Sequence, residues 1–130
     1  MKYLLDVNVL LAFGIFHHVF HARVVAWTAT QHGSELLTCS ITELGFVRVA
    51  AQAPTYGFTV AQAQKLLNSL KSQDTALIKF VPDGIDTAQL PVWVKTPNQT
   101  TDGHLLQLAS ANGAVLATLD KGIPRAFLIP

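Results

Sequence analysis

The chain has one cysteine and few charged residues, and each shortage excludes a class of protein. Cys39 has no cysteine partner within the chain, so a fold held by internal disulfides is excluded. Because it follows an apolar stretch, we expect a buried structural thiol. Charged residues make up 13% of the chain, against about 25% in an average soluble domain. Half of the residues are hydrophobic, so intrinsic disorder as the main state is also excluded.

Long hydrophobic runs are missing too. The apolar stretch over residues 9–16 is too short to span a bilayer, and Asp6 and Asn8 interrupt the segment before it. We therefore predict no membrane partner, no secretory signal and a cytoplasmic location. A length of 130 residues is typical of one domain, so we expect a single domain over residues 1–130. The shortage of charge suggests that a second copy or a partner covers part of the surface.

Short apolar runs alternate with helical patterns along the whole chain. This alternation predicts an α/β fold, a three-layer α/β/α domain around a parallel sheet of about five strands. The predicted strands are residues 2–5, 36–39, 76–81, 114–119 and 126–129. The predicted helices are residues 9–13 after Asn8, 17–30, 40–52 from a capping box at Ser40, a helix capped by Thr59, and 102–112 capped by Thr100 or Thr101. Residues 85–98 form the longest irregular connection.

Four acidic residues follow strands or open helices. Asp6 and Asp120 stand directly after predicted strands, and Glu43 and Asp102 stand in first turns of helices. In a parallel sheet, strand ends and the starts of the following helices share one edge, which places Asp6, Glu43 and Asp120 together. Asp102 follows a loop too long for this rule. Helix capping and turn formation are the alternative roles for such acids.

Converging carboxylates repel one another unless a cation lies between them. Oxygen ligands of this kind suit Mg²⁺ or Mn²⁺ rather than zinc. A rival zinc site would use His17 and His21, which are spaced i, i+4 in the predicted helix, but no third ligand lies nearby in the sequence. His104 is expected either to orient a phosphate or to face the edge of the core. Phosphate-binding loops, dinucleotide fingerprints and nucleophile elbows are missing from the sequence.

The motifs LLDVNVLLAF, HHVFHARVVAW, TCSITELGFVRV and TTDGHLLQLASANGAVLATLDKGI, in this order, resemble the PIN-domain toxins of the VapC family. The resemblance covers nearly the whole chain. It implies a Mg²⁺- or Mn²⁺-dependent endoribonuclease, the toxin of a toxin–antitoxin pair, silenced by a cognate VapB-like antitoxin. Together with the exposed-looking apolar residues Phe13, Phe16, Phe20 and Trp93, the shortage of charge also predicts a homodimer.

The resemblance also implies roles for single residues. Asp6, Glu43, Asp102 and Asp120 match the catalytic, metal-binding acids of the family, and Asn8 and Thr118 match its accessory polar positions. Asp6 and Asp102 would hold the principal ion. Gly103 departs from the family's usual alanine and is expected to loosen the first turn of its helix slightly.

The chain's net charge of +1 is no argument against an RNA substrate. Nine lysines and arginines face eight acids, so gathering four acids in one metal site leaves a net excess of five positive charges elsewhere. This surplus is a modest electrostatic footprint for RNA.

Two other functions are consistent with parts of the pattern. A catalytically inactive PIN-like module would bind RNA or protein, but clustered acids give such a module no advantage with a polyanion. A phosphohydrolase of the haloacid dehalogenase class also begins with an aspartate after its first strand. That chemistry needs a second aspartate two residues later, where this chain has Asn8.

Overall fold

Five parallel strands form the central sheet of the protein, which we describe from a computed structural model over residues 1–73 and 77–130. The spatial order is β3-β2-β1-β4-β5. The strands are β1 (Lys2–Leu5), β2 (Glu35–Thr38), β3 (Ile78–Phe80), β4 (Val115–Thr118) and β5 (Phe127–Leu128). Every neighbouring pair is parallel, which confirms the predicted sheet. Ala76, the predicted first residue of the third strand, lies outside the described residues.

Helices cover both faces of the sheet, so the three-layer prediction is confirmed. They are α1 (Val7–Gly14), α2 (His21–Ala29), α3 (Ser40–Gln52), α4 (Val60–Lys71) and α5 (Thr100–Ala111), with a 3₁₀ turn at Pro97–Gln99. One buried cluster joins α1 to α4 with one sheet face, and a second joins α5 with the other. None of the helices within the described ranges is long and apolar enough to cross a membrane.

The capping of two helices differs from the prediction, although α3 has the predicted bounds, residues 40–52. Asp6, not Asn8, caps α1, because its Oδ1 atom accepts a hydrogen bond from the Val7 backbone N–H at 2.8 Å. Helix α3 begins one residue beyond Cys39, whose N–H donates to Thr42 Oγ1 at 3.1 Å. The Ser40–Glu43 capping box is therefore wrong, and the Glu43 side chain is free for other contacts.

The remaining boundary differences lie in the second and fifth helices. Helix α2 begins at His21 rather than at residue 17, because residues 16–20 form turns. Helix α5 begins at Thr100 after the 3₁₀ turn, so Thr100 and Thr101 are helical residues rather than caps. The Thr59 cap of α4 is confirmed by a 3.1 Å hydrogen bond from Gln62 N–H to Thr59 Oγ1.

Close packing explains the glycine that departs from the family pattern. A Cβ atom at Gly103 would lie 2.5 Å from Val94 Cγ2 and 3.2 Å from Pro91 Cδ. Glycine at this position therefore lets the connection before α5 pack directly against the first turn of that helix. The expected loosening of the turn is offset by a contact that alanine does not permit.

Candidate metal centre

The candidate site lies at the carboxyl edge of the sheet. Asp6 follows the last residue of β1, and its backbone N–H donates to the Ala117 carbonyl of β4 at 3.0 Å. Asp120 stands two residues beyond the end of β4. Asp102 lies in the first turn of α5. The central pair of strands thus positions two of the acids, and α5 supplies the third from its face of the sheet.

Asp6 is a buried acid with two hydrogen-bond donors. It is 6% exposed. Thr118 Oγ1 donates to Asp6 Oδ2 at 2.8 Å, and the Val7 N–H donates to Oδ1. Burial raises the pKa of Asp6 above its usual value, the two hydrogen bonds oppose this shift, and the charge of Asp120 adds to it. Burial and the Asp120 charge therefore disfavour the ionised form of Asp6, whereas its two hydrogen bonds favour it.

The pKa of Asp102 is raised as well. Burial, followed by the negative charges of Asp6 and Asp120, raises the pKa of Asp102 to about 6. Since charges shift one another's pKa values only at short range, the three acids form one interacting group, which we call the acidic cluster. A divalent cation among these side chains would relieve their repulsion.

The Thr118 hydroxyl connects the acidic cluster to the accessory residue Asn8. While it donates to Asp6, it accepts from the Asp120 N–H at 3.0 Å and from Asn8 Nδ2 at 3.4 Å. Asn8 Oδ1 in turn accepts from the Leu119 N–H at 3.3 Å. Asn8 and Thr118 thus tie the end of β4 to the start of α1, and this holds Asp6 and Asp120 in fixed relation.

Glu43 has different partners from the other three acids. Thr38 Oγ1 donates to Glu43 Oε2 at 2.5 Å, and Lys71 Nζ lies 2.9 Å from Oε2 and 3.1 Å from Oε1. Glu43 is also not among the charges that raise the pKa of Asp6 or Asp102. The four acids that were expected to converge therefore divide into a cluster of three and an ion pair of Glu43 with Lys71. Lys71 was not predictable as a partner of Glu43, since no spacing rule links α3 to the end of α4.

The donor set suits a cation that keeps part of its water shell. Among residues 1–73 and 77–130, no three histidine, cysteine, aspartate or glutamate side chains form a ready-made metal cage. Mg²⁺ is usually held by one or two carboxylates and retains several waters, whereas structural zinc needs four close protein ligands. Carboxylates whose pKa values are raised by burial and by neighbouring negative charge fit Mg²⁺ or the similar ion Mn²⁺.

The histidines are occupied elsewhere. His17 precedes α2, so the assumed helical spacing to His21 does not exist, and His21 Nδ1 lies 2.7 Å from the Ala12 carbonyl. The i, i+4 helical spacing on which the zinc alternative depended is therefore absent. His104 is buried, and its Nε2 atom lies 2.5 Å from Asp83 Oδ2. His104 was expected either to orient a phosphate or to face the edge of the core, and the structure places it at the edge of the core.

The raised pKa of Asp102 predicts a pH dependence of stability in metal-free protein. Below about pH 4 the carboxyl is protonated in the folded and the unfolded chain, and it causes no penalty. As pH rises from the unfolded value of 3.8 to the folded value of about 6, folding loses stability, and the penalty is complete above that range. Because Asp102 is partly exposed and screened by solvent, we expect a loss on the order of 1 kcal/mol.

Chemical denaturation with EDTA between pH 4 and 7 measures this loss. The free energy of unfolding of Asp102→Asn should lack the decrease that the parent shows as pH rises through this range. Asp86→Asn is the matched control, because Asp86 is exposed and accepts a hydrogen bond within its own loop, from the Ala88 N–H. Parallel pH profiles for the parent and Asp102→Asn would contradict the described electrostatics.

Thr118 provides a second prediction. Thr118→Val keeps the shape of this buried side chain but removes the hydroxyl that donates to Asp6. We expect Mn²⁺ affinity, measured by calorimetry, to fall about 10- to 100-fold, as is common when the partner of a metal-binding side chain is lost. Thr118→Ser keeps the hydroxyl and should stay close to the parent. Equal losses in the two variants would indicate a packing effect instead.

Comparisons with known proteins identify relatives of this chain. The PIN domain family model matches residues 3–127. The chain is 36% identical to ribonuclease VapC44 of Mycobacterium tuberculosis, over 95% of this chain and 89% of that protein. It is 34% identical to ribonuclease VapC38 of the same organism, over 92% and 86%. Ribonuclease VapC29 is 33% identical over 100% and 98%.

The fold has a solved counterpart as well. A chain in the crystal structure of VapBC2 from Rickettsia felis, bound to a DNA fragment from its promoter, superposes with a TM-score of 0.60. The match covers 98% of this chain and 97% of that one at 15% identity, so it concerns the fold. With the family model and three relatives above 30% identity, the sequence resemblance is confirmed. The chain belongs to the PIN domain family and, within it, to the VapC proteins.

Proposed function

We propose that this protein is a metal-dependent endoribonuclease and the cytoplasmic toxin of a toxin–antitoxin pair. The observation that carries the proposal is the placement of Asp6 and Asp120 at the carboxyl edge of the sheet, joined through the Thr118 hydroxyl, with Asp102 near enough for both charges to raise its pKa. Its relatives of similar length are named ribonucleases, which supports RNA as the substrate. The reaction is hydrolysis of RNA phosphodiester bonds.

We assign Mg²⁺ or Mn²⁺ to the acidic cluster, with Asp6 and Asp102 as the principal ligands and Asp120 beside them. When bound, such an ion lowers the pKa of a coordinated water and offsets the charge that builds on the phosphate. Glu43, the fourth acid, pairs with Lys71 apart from the acidic cluster, so we assign it no direct contact with the ion. Thr118 and Asn8 keep the carboxylates oriented, so little rearrangement is needed when RNA arrives.

The test is incubation of purified protein with total RNA in Mg²⁺, Mn²⁺ or EDTA. We expect fragments with either metal and intact RNA with EDTA. Release of phosphate from a phosphomonoester without RNA cleavage would support the dehalogenase-class chemistry instead. RNA binding without cleavage in either metal would indicate the inactive module.

We also propose a homodimer and a VapB-like antitoxin partner. Two of the four apolar residues behind this prediction are exposed: Phe16 at 77% and Phe20 at 39%. Phe13 and Trp93 are partly buried against the core clusters, so they contribute less to an interface than their types suggested. Light scattering at micromolar concentration should show a dimer, and co-expression with the antitoxin should yield a complex. A stable monomer that retains no partner would contradict both.

A further inference from the structure

Phe80 is an aromatic side chain left exposed at the same sheet edge as the acidic cluster. It is the last residue of β3 and is 48% exposed. The register pairs Phe80 with Thr38, and the preceding residue pair of β2 and β1 is Leu37 with Leu4. Phe80 therefore lies level with Leu5, the residue directly before Asp6. Two strand spacings, about 10 Å, separate it from β1.

A cation lies beside this ring. Lys71 Nζ is 5.5 Å from the centroid of the Phe80 ring, within the range of a cation–π contact. The same ammonium is held by both carboxylate oxygens of Glu43, which Thr38 fixes in turn. A series of contacts, from Thr38 to Glu43 to Lys71, thus holds a positive group against an exposed aromatic face at the end of the sheet.

The ring lines a groove of about 510 Å³ between α3, α4 and β3, together with Glu43, which holds the cation. Apolar side chains line much of it, including Leu44, which is 69% exposed. An aromatic face in a groove, with a lysine beside the ring, is a combination with which proteins bind single-stranded nucleic acid, by stacking on a base and pairing with a phosphate. An acidic cluster repels a polyanion, so the substrate needs contacts of this kind beside it.

We propose that Phe80 stacks on a base of the RNA next to the cleavage site and that Lys71 contacts its backbone. Glu43 then acts as a positioning residue for Lys71. This inference rests on the proposed function, since it takes RNA as the substrate. A short stretch of single-stranded RNA covers the distance from the acidic cluster to the ring. The subsite contributes to RNA affinity rather than to the chemical step.

Binding of a short labelled single-stranded RNA, followed by fluorescence anisotropy in EDTA, tests Phe80. Phe80→Leu keeps an apolar side chain but removes the ring, and we expect Kd to rise about 5- to 100-fold. Phe80→Trp should bind like the parent. Val19→Ala is the matched control at an exposed apolar residue on the connection after α1, and it should leave Kd unchanged. In cleavage assays with Mn²⁺, Phe80→Leu should raise KM and leave kcat near the parental value.

Salt dependence tests Lys71. Lys71→Met should reduce the slope of log Kd against log salt by about 0.7, the value for one phosphate contact on a single strand. Lys71→Arg retains the charge and should keep the slope. If Lys71 has only a structural role, Lys71→Met and Lys71→Arg should show the same slope of log Kd against log salt.

The outcomes separate this inference from the proposed function. If the parent cleaves RNA but Phe80→Leu keeps the parental Kd and KM, the subsite is wrong and the function stands. If Phe80→Leu loses a co-expressed protein partner while RNA affinity is unchanged, the groove binds protein and the inference is overturned. If the parent cleaves no RNA yet binds it through Phe80, the subsite stands and the proposed function fails.

Discussion

Replacing Asp6 or Asp102 with asparagine is expected to lower the rate of RNA cleavage by at least about 100-fold without unfolding the protein. Each change removes from the acidic cluster a negative charge that the proposed ion needs for binding. The asparagine side chain has the same shape, and the loss of repulsion in a cluster with raised pKa values favours the fold. Single-turnover cleavage of a defined RNA with Mn²⁺, alongside circular dichroism, measures both effects.

The losses should be graded across the acids. Asp120→Asn should reduce cleavage less than Asp6→Asn, because Asp120 lies in the turn after β4, where its Oδ1 atom accepts a hydrogen bond from the Gly122 N–H. The exposed Asp86→Asn is the control and should cleave like the parent. An Asp6→Asn variant with nearly parental activity would contradict the assignment of the cluster.

The second large effect is stabilisation by metal. A ligand that binds only the folded chain adds RT ln(1 + [L]/Kd), about 2.7 kcal/mol at a hundredfold excess over Kd. For a domain of this size, the melting temperature should rise by roughly 5–10 °C. Mn²⁺ should stabilise at least as well as Mg²⁺, since the same ligands bind it more tightly. Thermal melting in EDTA, Mg²⁺ and Mn²⁺ measures the shift.

Asp6→Asn separates metal binding from general salt effects. In EDTA its melting temperature should equal or exceed that of the parent, because one repelling charge is gone. Its rise with Mn²⁺ should be much smaller than that of the parent, whereas Asp86→Asn should show the full rise. A parent protein whose melting temperature ignores millimolar Mg²⁺ and Mn²⁺ would show that the cluster binds neither ion.

The parallel sheet and the positions of Asp6 and Asp120 were predictable from short-range patterns. Buried strands of a parallel sheet appear as continuous apolar runs, and an acid directly after such a run lies at the carboxyl edge. The exact starts of α1 and α5 were not predictable, because several polar residues near each start compete for the same backbone N–H groups. At α1 the competitors were Asp6 and Asn8, and the structure gives the cap to Asp6.

Contacts between distant segments were the part that sequence patterns missed. Glu43 and Lys71 are 28 residues apart, and Asp83 and His104 are 21 apart. Each pair depends on how two elements pack, which no local period encodes. The predicted convergence of four acids therefore overlooked the lysine that pairs with one of them. The reason for a glycine at position 103, its close contact with Val94, likewise depends on how distant segments pack.

The most direct test of the acidic cluster is a crystal structure of the protein with Mn²⁺, with anomalous scattering used to locate the ion. We expect one anomalous peak at bonding distance from carboxylate oxygens of Asp6 and Asp102, and no such peak in Asp6→Asn crystals grown in the same way. A peak that lies only at histidines or at the Asp83–His104 pair, or no peak at millimolar Mn²⁺, would contradict the proposed metal centre.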